Sequence, residues 1–302
     1  MAAKRALITG IHGQDGTYLA QFLRDRGYEV FGEGVDVRDQ TALVGILQSV
    51  SPDECYHLAA QHRSSAATTE LDDERRILEV NLLSTQTILH TLRRIKPEAK
   101  VFLAGSCHIF GETIETPQNE LTPIAPNSVY GITKAGSMQL GALYRRTHGM
   151  FVCTGILYQH ESPLRRPGFL SRNIVSALAE IVEGKRTEFL VGSLQAQVDW
   201  GFAGDYVEAM WLMLQQILPN DYIVASGALH TVQDFISKAY AHAGLDWQRF
   251  VREDASVYRP VSGAVYQGNI ERLRDIGWSP KTSFDDLVKQ MVDAVLNKKT
   301  GP

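Results

Sequence analysis

Short β-rich runs alternate with helical patterns through the first half of the sequence. The runs that predict strands are "RALIT" (5–9), "YEVFGE" (28–33), "ECYHLAA" (54–60), "KVFLAG" (100–105) and "FVCTGIL" (151–157). Apolar residues at helical spacing, Leu19, Phe22 and Leu23, lie between the first two runs. Because strands separated by helices of this length pair in parallel through right-handed crossovers, we expect an α/β fold with a doubly wound parallel sheet.

The alternation loosens after Tyr158, where loops rich in Pro and Arg are interleaved with short strands and helices. We therefore expect residues 1–157 to form the sheet domain. Residues 158–302 are expected to form mainly a smaller, mixed α/β lobe that binds substrate, with about 204–226 returning to the main sheet.

Charge and composition exclude several classes of protein. The net charge of −4 and the lack of a basic block argue against nucleic acid as a partner. No apolar run approaches the ~18 residues of a membrane span, and "MAAKRALITG" leaves no room for a signal peptide, so we expect a cytoplasmic protein without a membrane partner. Cys55, Cys107 and Cys153 are odd in number and far apart, which predicts buried free thiols and no metal site.

A glycine-rich turn, "TGIHGQDG", follows the first predicted strand and opens an amphipathic helix. Gly10, Gly13 and Gly16 permit a tight turn, close approach of the backbone to a pyrophosphate, and close packing of helix on strand. The helix N-terminus behind them favours negative charge. This context predicts a dinucleotide-binding loop rather than a purely structural turn.

The second strand ends in "FGEGVDVRD", where the adenosine end of a dinucleotide is expected. Glu33 is able to accept hydrogen bonds from a ribose diol, which favours NAD, and Arg38 is able to pair with a 2′-phosphate. Asp36 and Val37 lie where an adenine edge would be contacted.

The candidate reacting group is the YxxxK spacing in "YGITK". Tyr130 and Lys134 lie on one face of a predicted helix. A phenol has a pKa of about 10, and a nearby ammonium together with an oxidised nicotinamide would stabilise its phenolate form. These two residues are therefore the predicted acid/base and its partner.

The stretch "VFLAGSCHIFGE" places Ser106, Cys107 and His108 just after a predicted strand. Ligand sites of parallel α/β sheets form at the carboxyl ends of strands, so the Ser106 hydroxyl is expected to share the substrate oxygen with Tyr130. A Ser/Cys–His hydrolase is the weaker alternative, because the stretch lacks the GxSxG nucleophile elbow.

These residues resemble the extended short-chain dehydrogenase/reductases of the NAD-dependent epimerase/dehydratase family, and the closest likeness is to the GDP-mannose 4,6-dehydratases. The matching stretches are "ALITGIHGQDGTYLA", "HLAAQ", "TPQNELTPIAPNSVYGITK", "GILYQHESP", "VDWGFAGDYVEAMWLML", "YRP" and "GWSPKTSFDDLVKQMV". The resemblance implies a Rossmann-type fold, NADP as cofactor, a nucleotide-sugar substrate, and a homodimer or homotetramer. It also implies oxidation of the sugar at C4, elimination of water across C5–C6, and return of the hydride to C6.

The resemblance also assigns roles to single residues. Its implied catalytic residues are Ser106, Tyr130 and Lys134, with His108 at the position of the family's base. Its implied cofactor contacts are Gly10, Gly13, Gln14, Asp15, Gly16, Asp36, Val37, Leu58, Ala59, Ala60, Gln61, His160 and Arg165. The expected substrate contacts are Glu161, Arg172, Asn173 and Arg259.

The sequence also departs from the family pattern. His108 stands where the family has the Glu that removes the C5 proton, and Val198 and Asn173 replace cationic contacts to the nucleotide diphosphate. The segment with the family's paired arginines for the 2′-phosphate is missing, so the cofactor is NADP or NAD. The leading prediction is a 4,6-dehydratase. The alternatives are a 4-keto-sugar reductase or epimerase, which needs no C5 base, and a cofactor-binding protein with little turnover.

Overall fold

The computed structural model describes residues 3–32, 34, 36–62, 71–257 and 265–296. Its strands are β1 (Arg5–Thr9), β2 (Glu29–Phe31), β3 (Glu54–His57), β4 (Lys100–Ala104), β5 (Phe151–Leu157), β6 (His160–Glu161), β7 (Phe189–Val191), β8 (Gln197–Asp199), β9 (Gly201–Phe202), β10 (Tyr222–Val224), β11 (Leu229–Thr231) and β12 (Val251–Glu253). Its α-helices are α1 (Gln14–Arg24), α2 (Gln40–Val50), α3 (Leu71–Leu78), α4 (Ser84–Ile95), α5 (Val129–His148), α6 (Leu170–Val182), α7 (Ala203–Leu214), α8 (Val232–His242), α9 (Glu271–Asp275) and α10 (Phe284–Leu296).

The central sheet has six strands in the order β10-β5-β4-β3-β1-β2, and every pairing is parallel. The chain leaves β1 for β2 on one side and then returns to β3 on the other side. Such a reversal opens a crevice at the carboxyl ends of β1 and β3, where ligands of doubly wound sheets bind. The predicted fold class is confirmed.

Helices cover both faces of this sheet. Alternate residues of each strand point to opposite faces, so Phe102 lies in the buried cluster with α1 and α7, whereas Val101 and Leu103 lie in the cluster with α2 and α4. A nearly continuous run of apolar residues along β4 is what a strand buried on both faces requires.

The predicted second strand is too long by three residues. The sequence favoured a strand over 28–33, but β2 spans Glu29–Phe31. Gly32 has φ of +144°, and a Cβ at this position would lie 2.0 Å from the Ile8 carbonyl oxygen. Only a glycine fits there, and its backbone turns away from the sheet. β3 likewise ends at His57, earlier than the predicted Ala60.

A separate buried cluster lies among α6, α8 and α10, with Trp200 and Phe235 at its centre. Three small two-stranded sheets accompany it, pairing β6 with β9, β7 with β12, and β8 with β11. The placement of the boundary at 157/158 stays a prediction. Among the described residues, no helix has the length and apolar character needed to cross a membrane.

Candidate active site

A cavity of about 880 Å³ opens at the carboxyl edge of the central sheet. It brings together most of the predicted site residues: Gly10, Gly13, Gln14, Asp15, Gly16, Asp36, Val37, Leu58, Ala59, Ala60, Gln61, Ser106, His108, Tyr130, Lys134, His160, Glu161 and Arg165. Arg172 and Asn173 are not among its lining residues in the described part of the chain. The predictions for Glu33 and Arg259 lie outside the described residues.

The glycine turn has the geometry of a phosphate cradle. Gly10 has φ of +75°, and a Cβ there would lie 2.9 Å from the Ala59 amide nitrogen. A Cβ on Gly16 would lie 2.3 Å from the Gly10 carbonyl oxygen, so α1 packs directly on the turn. The helix begins immediately after Gly13, whose residue type offers no side-chain cap. Free backbone N–H groups at a helix N-terminus fit the pyrophosphate of a dinucleotide.

A buried ion pair lies beside this cradle. Asp15 in the first turn of α1 contacts His160, with 2.9 Å between Oδ2 and Nε2. Burial alone would lower the pKa of His160, but the Asp15 carboxylate raises it above its usual value. Burial alone would raise the pKa of Asp15, but His160 lowers it. The His160 Nδ1–H donates to the Tyr158 carbonyl oxygen at 2.7 Å, which fixes the ring. The pair therefore places no net charge beside the phosphate cradle.

At the adenosine end of the cavity, Asp36 and Arg38 bind each other. The Arg38 Nη2 donates to Asp36 Oδ2 at 2.7 Å, and its Nε donates to Oδ1 at 3.1 Å. Hydrogen bonds from Arg38 lower the pKa of Asp36 to about 2. Arg76 also lines the cavity. A paired carboxylate and guanidinium group therefore lie where the sequence predicts a contact with the adenine.

A chain of hydrogen bonds fixes the loop that follows β3. Ser84 donates to the Val80 carbonyl oxygen, so its oxygen accepts from Nε2–H of His57 at 2.9 Å. Nδ1 of His57 then accepts from the Thr9 hydroxyl at 2.7 Å, and the Thr9 oxygen accepts from the Ala59 amide. Burial lowers the pKa of His57 to about 3, which keeps the ring neutral for this role. His57 is thus a structural residue of this loop.

Asn81 connects this loop to the helix that carries Tyr130. Its amide exchanges two hydrogen bonds with the Gln61 backbone, at 2.8 and 3.1 Å. It also donates to Thr133 Oγ1 at 3.2 Å. Asn81 is buried in a π-helical turn, Glu79–Leu83, between α3 and α4. Asn81 therefore connects the loop after β3 to α5, which form two walls of the cavity.

Ser106, Tyr130 and Lys134 lie together in the lining of the cavity. Burial raises the pKa of Tyr130 to about 12, and a hydrogen bond with Ser106 opposes that rise. Burial lowers the pKa of Lys134 to about 8, which the Asp15 carboxylate opposes. The Lys134 ammonium donates to the Ala104 carbonyl oxygen at 2.7 Å and lies 5.7 Å from the centre of the Tyr130 ring. In the free protein the phenol is therefore protonated, and a cation lies close to it.

Two imidazoles flank the Tyr130 ring. His62 contacts it edge-on with 4.6 Å between ring centres, and His108 does so at 5.8 Å. Burial lowers the pKa of His62 to about 4 and also lowers the pKa of His108. Both rings are therefore neutral near pH 7, which is the form able to accept a proton.

Each carboxylate that lines the described part of the cavity already has a cationic partner. Asp15 pairs with His160, and Asp36 pairs with Arg38. Glu161 contacts Arg165, with 3.0 Å between Oε2 and Nε, and accepts a hydrogen bond from Ser171. Burial raises the pKa of Glu161, which Arg165 opposes. The candidate bases beside Tyr130 are thus imidazoles rather than carboxylates.

The substrate side of the cavity is cationic where Arg165 and Arg166 line it, and apolar where Val198 and Trp200 do. Arg172 instead donates to the Pro163 carbonyl oxygen at 3.4 Å, and Asn173 accepts from the Gly168 amide at 3.1 Å. These two side chains therefore hydrogen-bond to the backbone of the loop before α6.

Sequence reasoning missed Phe169, which lines the cavity and stacks on His62 with 5.6 Å between ring centres. Arg165 lies over the Phe169 ring at 3.6 Å. The spacing of four residues between them was the available signal, but this segment is a loop, where helical spacing does not apply.

The fold and the site together define a dinucleotide-dependent enzyme of the short-chain dehydrogenase/reductase superfamily. A sequence model described as GDP-mannose 4,6 dehydratase matches residues 33–291. The chain belongs to the GDP-mannose 4,6-dehydratase family.

Relatives with curated names agree with this assignment. GDP-mannose 4,6 dehydratase 2 of Arabidopsis thaliana is 38% identical over 325 residues, covering 96% of this chain and 86% of the relative. GDP-mannose 4,6 dehydratase of Homo sapiens is 34% identical over 339 residues, covering 96% and 90%. Both alignments are longer than the 302 residues of the chain, so the relatives carry residues that it lacks.

Solved structures agree on the fold. RMD from Pseudomonas aeruginosa, complexed with NADPH, superposes with a TM-score of 0.87 at 21% identity, covering 98% of this chain and 100% of that one. UDP-glucose 4-epimerase of Thermus thermophilus, in complex with NAD, gives 0.81 at 23% identity, with coverage of 98% and 100%.

Proposed function

We propose that the protein is an NAD(P)-dependent nucleotide-sugar 4,6-dehydratase that acts on GDP-mannose or a close analogue. The observation that carries the proposal is the cluster of Ser106, Tyr130 and Lys134 in the cavity that also contains the glycine cradle. Membership of the GDP-mannose 4,6-dehydratase family supports the reaction, and the chemistry of the cluster supports its first step.

The first step is oxidation at sugar C4. When bound, the nicotinamide ring supplies the acceptor for the C4 hydride and later the donor of the same hydride to C6. Ser106 aligns the C4 oxygen, and Tyr130 accepts the hydroxyl proton. The Lys134 ammonium favours the phenolate by charge, which is needed because burial raises the pKa of Tyr130 to about 12.

The second step is elimination across C5–C6, for which we assign His108 as base. Its neutral ring accepts the C5 proton, the C5–H electrons form the C5–C6 double bond, and the C6–O bond breaks. The imidazolium then gives its proton to the leaving oxygen, which departs as water. One residue thus acts as base and then as acid in the elimination. Hydride addition at C6 then requires one proton at C5, which balances the proton that Tyr130 took from the C4 hydroxyl, and completes the 4-keto-6-deoxy product.

Gly10, Gly13 and Gly16 would hold the pyrophosphate, and Asp36 and Val37 would contact the adenine. Arg38 lies at the adenosine end, which is compatible with NADP, whereas the missing paired arginines leave NAD open. Arg165 and Arg166 are the cations available for the substrate diphosphate. A homodimer or homotetramer and a cytoplasmic location remain predictions.

A 4-keto-sugar reductase or epimerase is the second candidate. It is favoured by one observation: among the described residues, no unpaired carboxylate lines the cavity beside Tyr130. Such an enzyme needs only the hydride step at C4 and no base at C5.

The test is incubation of the pure protein with GDP-mannose and NAD or NADP, followed by mass spectrometry. A dehydratase gives a product lighter by one water, and Tyr130→Phe abolishes it. Tyr144→Phe is the matched control, because Tyr144 lies on the same helix but packs in the opposite cluster, away from the cavity. His108→Ala should accumulate the 4-keto sugar if His108 is the C5 base. Unchanged loss of water by that variant would show that His108 is not the C5 base. Hydride transfer without loss of water by the wild type, unaffected in His108→Ala, would instead favour the reductase or epimerase.

The pH profile provides an independent check on His108. A base must be deprotonated to act, and burial lowers the pKa of His108 below 6.5. We therefore expect the acidic limb of kcat/KM for elimination to lie below pH 6.5 and to disappear from the residual activity of His108→Gln. His90→Gln, an exposed histidine on α4, should keep the wild-type limb.

A further inference from the structure

A chain of five aromatic rings crosses the cavity. Phe169 stacks on His62 at 5.6 Å, and His62 contacts Tyr130 edge-on at 4.6 Å. Tyr130 contacts His108 at 5.8 Å, and His108 contacts Tyr266 at 5.6 Å. His62 follows β3, His108 follows β4, and Tyr130 lies on α5. Phe169 immediately precedes α6, and Tyr266 precedes α9. The reactive phenol is therefore held between rings from distant parts of the sequence.

The position of the His62 ring depends on packing. Its Nδ1 is buried and forms no hydrogen bond among the described residues. A buried ring nitrogen without a partner adds nothing to orient the ring. Its ring neighbours are Phe169, which stacks on it, Tyr130, which contacts it edge-on, and His108, whose ring centre lies 6.1 Å away.

Phe169 in turn belongs to the loop that carries the cavity's cations. Arg165 lies over its ring at 3.6 Å, and Glu161 contacts Arg165 at 3.0 Å. Arg165 and Arg166 both line the cavity, so a negatively charged part of the substrate would contact this loop. The ring contacts then run without interruption from the charged loop to the phenol.

We propose that His62 and Phe169 are positioning residues, which act through ring packing to hold Tyr130 in its reactive orientation and to couple that orientation to the Arg165–Arg166 loop. This inference rests on the proposed function for its kinetic consequences. The imidazole nitrogens are not required, only the shape of the ring. Neutrality of His62 fits this role, since a charged imidazolium would repel Lys134 and Arg165.

The kinetic test compares His62→Ala, His62→Phe, Phe169→Ala and the double alanine variant in the holoenzyme. We expect His62→Ala to lower kcat at least about tenfold, with the cofactor Kd changed less than about twofold. His62→Phe keeps a ring of similar size, so it should stay within about threefold of wild type. The double variant should lose little more than the worse single variant, because both act on one contact chain. Val182→Ala on α6, half exposed and remote from the cavity, is the control.

Two outcomes would overturn the proposal. If His62→Phe is as impaired as His62→Ala, the imidazole nitrogens act by hydrogen bonding, and positioning by packing is wrong. If the losses of the two single alanine variants multiply in the double variant, the residues are not coupled.

A readout without substrate separates this proposal from the proposed function. Replacing Tyr130 by 3-fluorotyrosine gives one ¹⁹F resonance that reports the freedom of this ring. We expect His62→Ala and Phe169→Ala to shift or broaden that resonance and His62→Phe to leave it near its wild-type position. An unchanged resonance in His62→Ala refutes the positioning role even if turnover falls. Absence of turnover by the wild type with intact ¹⁹F effects instead refutes the proposed function alone.

Discussion

The two edges of the central sheet use their polar groups in opposite ways. At the amino edge, Glu54 is almost fully buried and accepts hydrogen bonds from Lys4, Tyr28 and Tyr56. At the carboxyl edge, Nδ1 of His62 has no hydrogen-bond partner among the described residues, although it is just as inaccessible to solvent. The buried carboxylate at the amino edge is satisfied within the protein, whereas this one ring nitrogen at the carboxyl edge is not.

The same contrast appears in two lysines at opposite ends of β4. Lys100 begins the strand and donates to the Leu214 carbonyl oxygen at 2.6 Å, at the C-terminus of α7. Lys134 lies at the strand's other end and donates to Ala104 at 2.7 Å. Of the two, Lys134 is the one with a titratable phenol beside it. Each lysine thus donates a similar hydrogen bond to a backbone carbonyl. The bond of Lys100 stabilises the fold, whereas Lys134 is also placed to influence the Tyr130 phenol.

The sharpest test of this contrast is to replace each lysine by methionine. Lys134→Met removes the charge that favours the Tyr130 phenolate, so we expect kcat to fall at least about 100-fold. Lys100→Met should leave kcat unchanged and cost about 1 kcal/mol of stability, since it removes a cation from a helix C-terminus. Steady-state kinetics and urea unfolding measure the two effects. If the two variants lost activity equally, the lysines at the amino and carboxyl edges of the sheet would not differ in function.

Glu54→Gln tests whether the hydrogen bonds at the amino edge of the sheet contribute to stability and not to activity. The amide cannot accept from all the donors that converge on the carboxylate, so we expect a loss of about 1–3 kcal/mol in the free energy of unfolding. Cofactor affinity and kcat should be unchanged. Glu29→Gln, at a carboxylate that is mostly exposed, is the control and should alter stability by less than about 0.5 kcal/mol.

Gly16→Ala tests whether the cradle depends on close backbone approach. The added Cβ would lie 2.3 Å from the Gly10 carbonyl oxygen, so α1 must move away from the turn. We expect the cofactor Kd to rise about tenfold, with a destabilisation of about 1–3 kcal/mol. Gly45→Ala is the matched control, because it lies in α2 with open space around it. That change should stabilise the protein by about 0.5–1 kcal/mol.

The smallest expected effect concerns the Asp15–His160 pair. The pKa of His160 is raised above 6.5, so its contribution to stability is complete below pH 6.5 and is lost as the pH rises through the raised value. The pKa of Asp15 is lowered, so its contribution is lost only as the pH falls through a value below 3.8. Above the pKa of His160 an uncompensated carboxylate faces the cofactor phosphates.

We therefore expect cofactor affinity to decline at alkaline pH, by roughly tenfold or less. Titrating the cofactor from about pH 6 to about pH 10 would measure this decline. His160→Gln should abolish the pH dependence. A decline that persists in the variant would have to arise elsewhere.

Local patterns made part of this architecture predictable. The glycine turn and the Tyr130/Lys134 spacing each lie within a few residues of the sequence, so the tight turn before α1 and the shared helical face of the two side chains follow from short-range rules. The same holds for the buried cysteines, which lie in or just after strand-like runs. The structure places all of these where the patterns put them.

Contacts between distant residues were not predictable as pairs. Asp15 and His160 are 145 positions apart, and Asn81 and Thr133 are 52 apart. Nothing in either local sequence specifies the partner, because the pairing depends on how the elements pack. Arg172 and Asn173 stay predicted substrate contacts, but the sequence did not indicate their hydrogen bonds to the loop before α6.

The π-helical turn at Glu79–Leu83 has a consequence for the phase of the long helical segment from Leu71 to Ile95. A π turn accommodates one residue more than an α turn, so everything before it is rotated by about 100° relative to an uninterrupted α-helix. Deleting a single residue here would restore ideal helical geometry. It would also turn the Asn81 amide out of line with Gln61. The helix would then be more regular, but Asn81 would no longer connect the loop after β3 to α5.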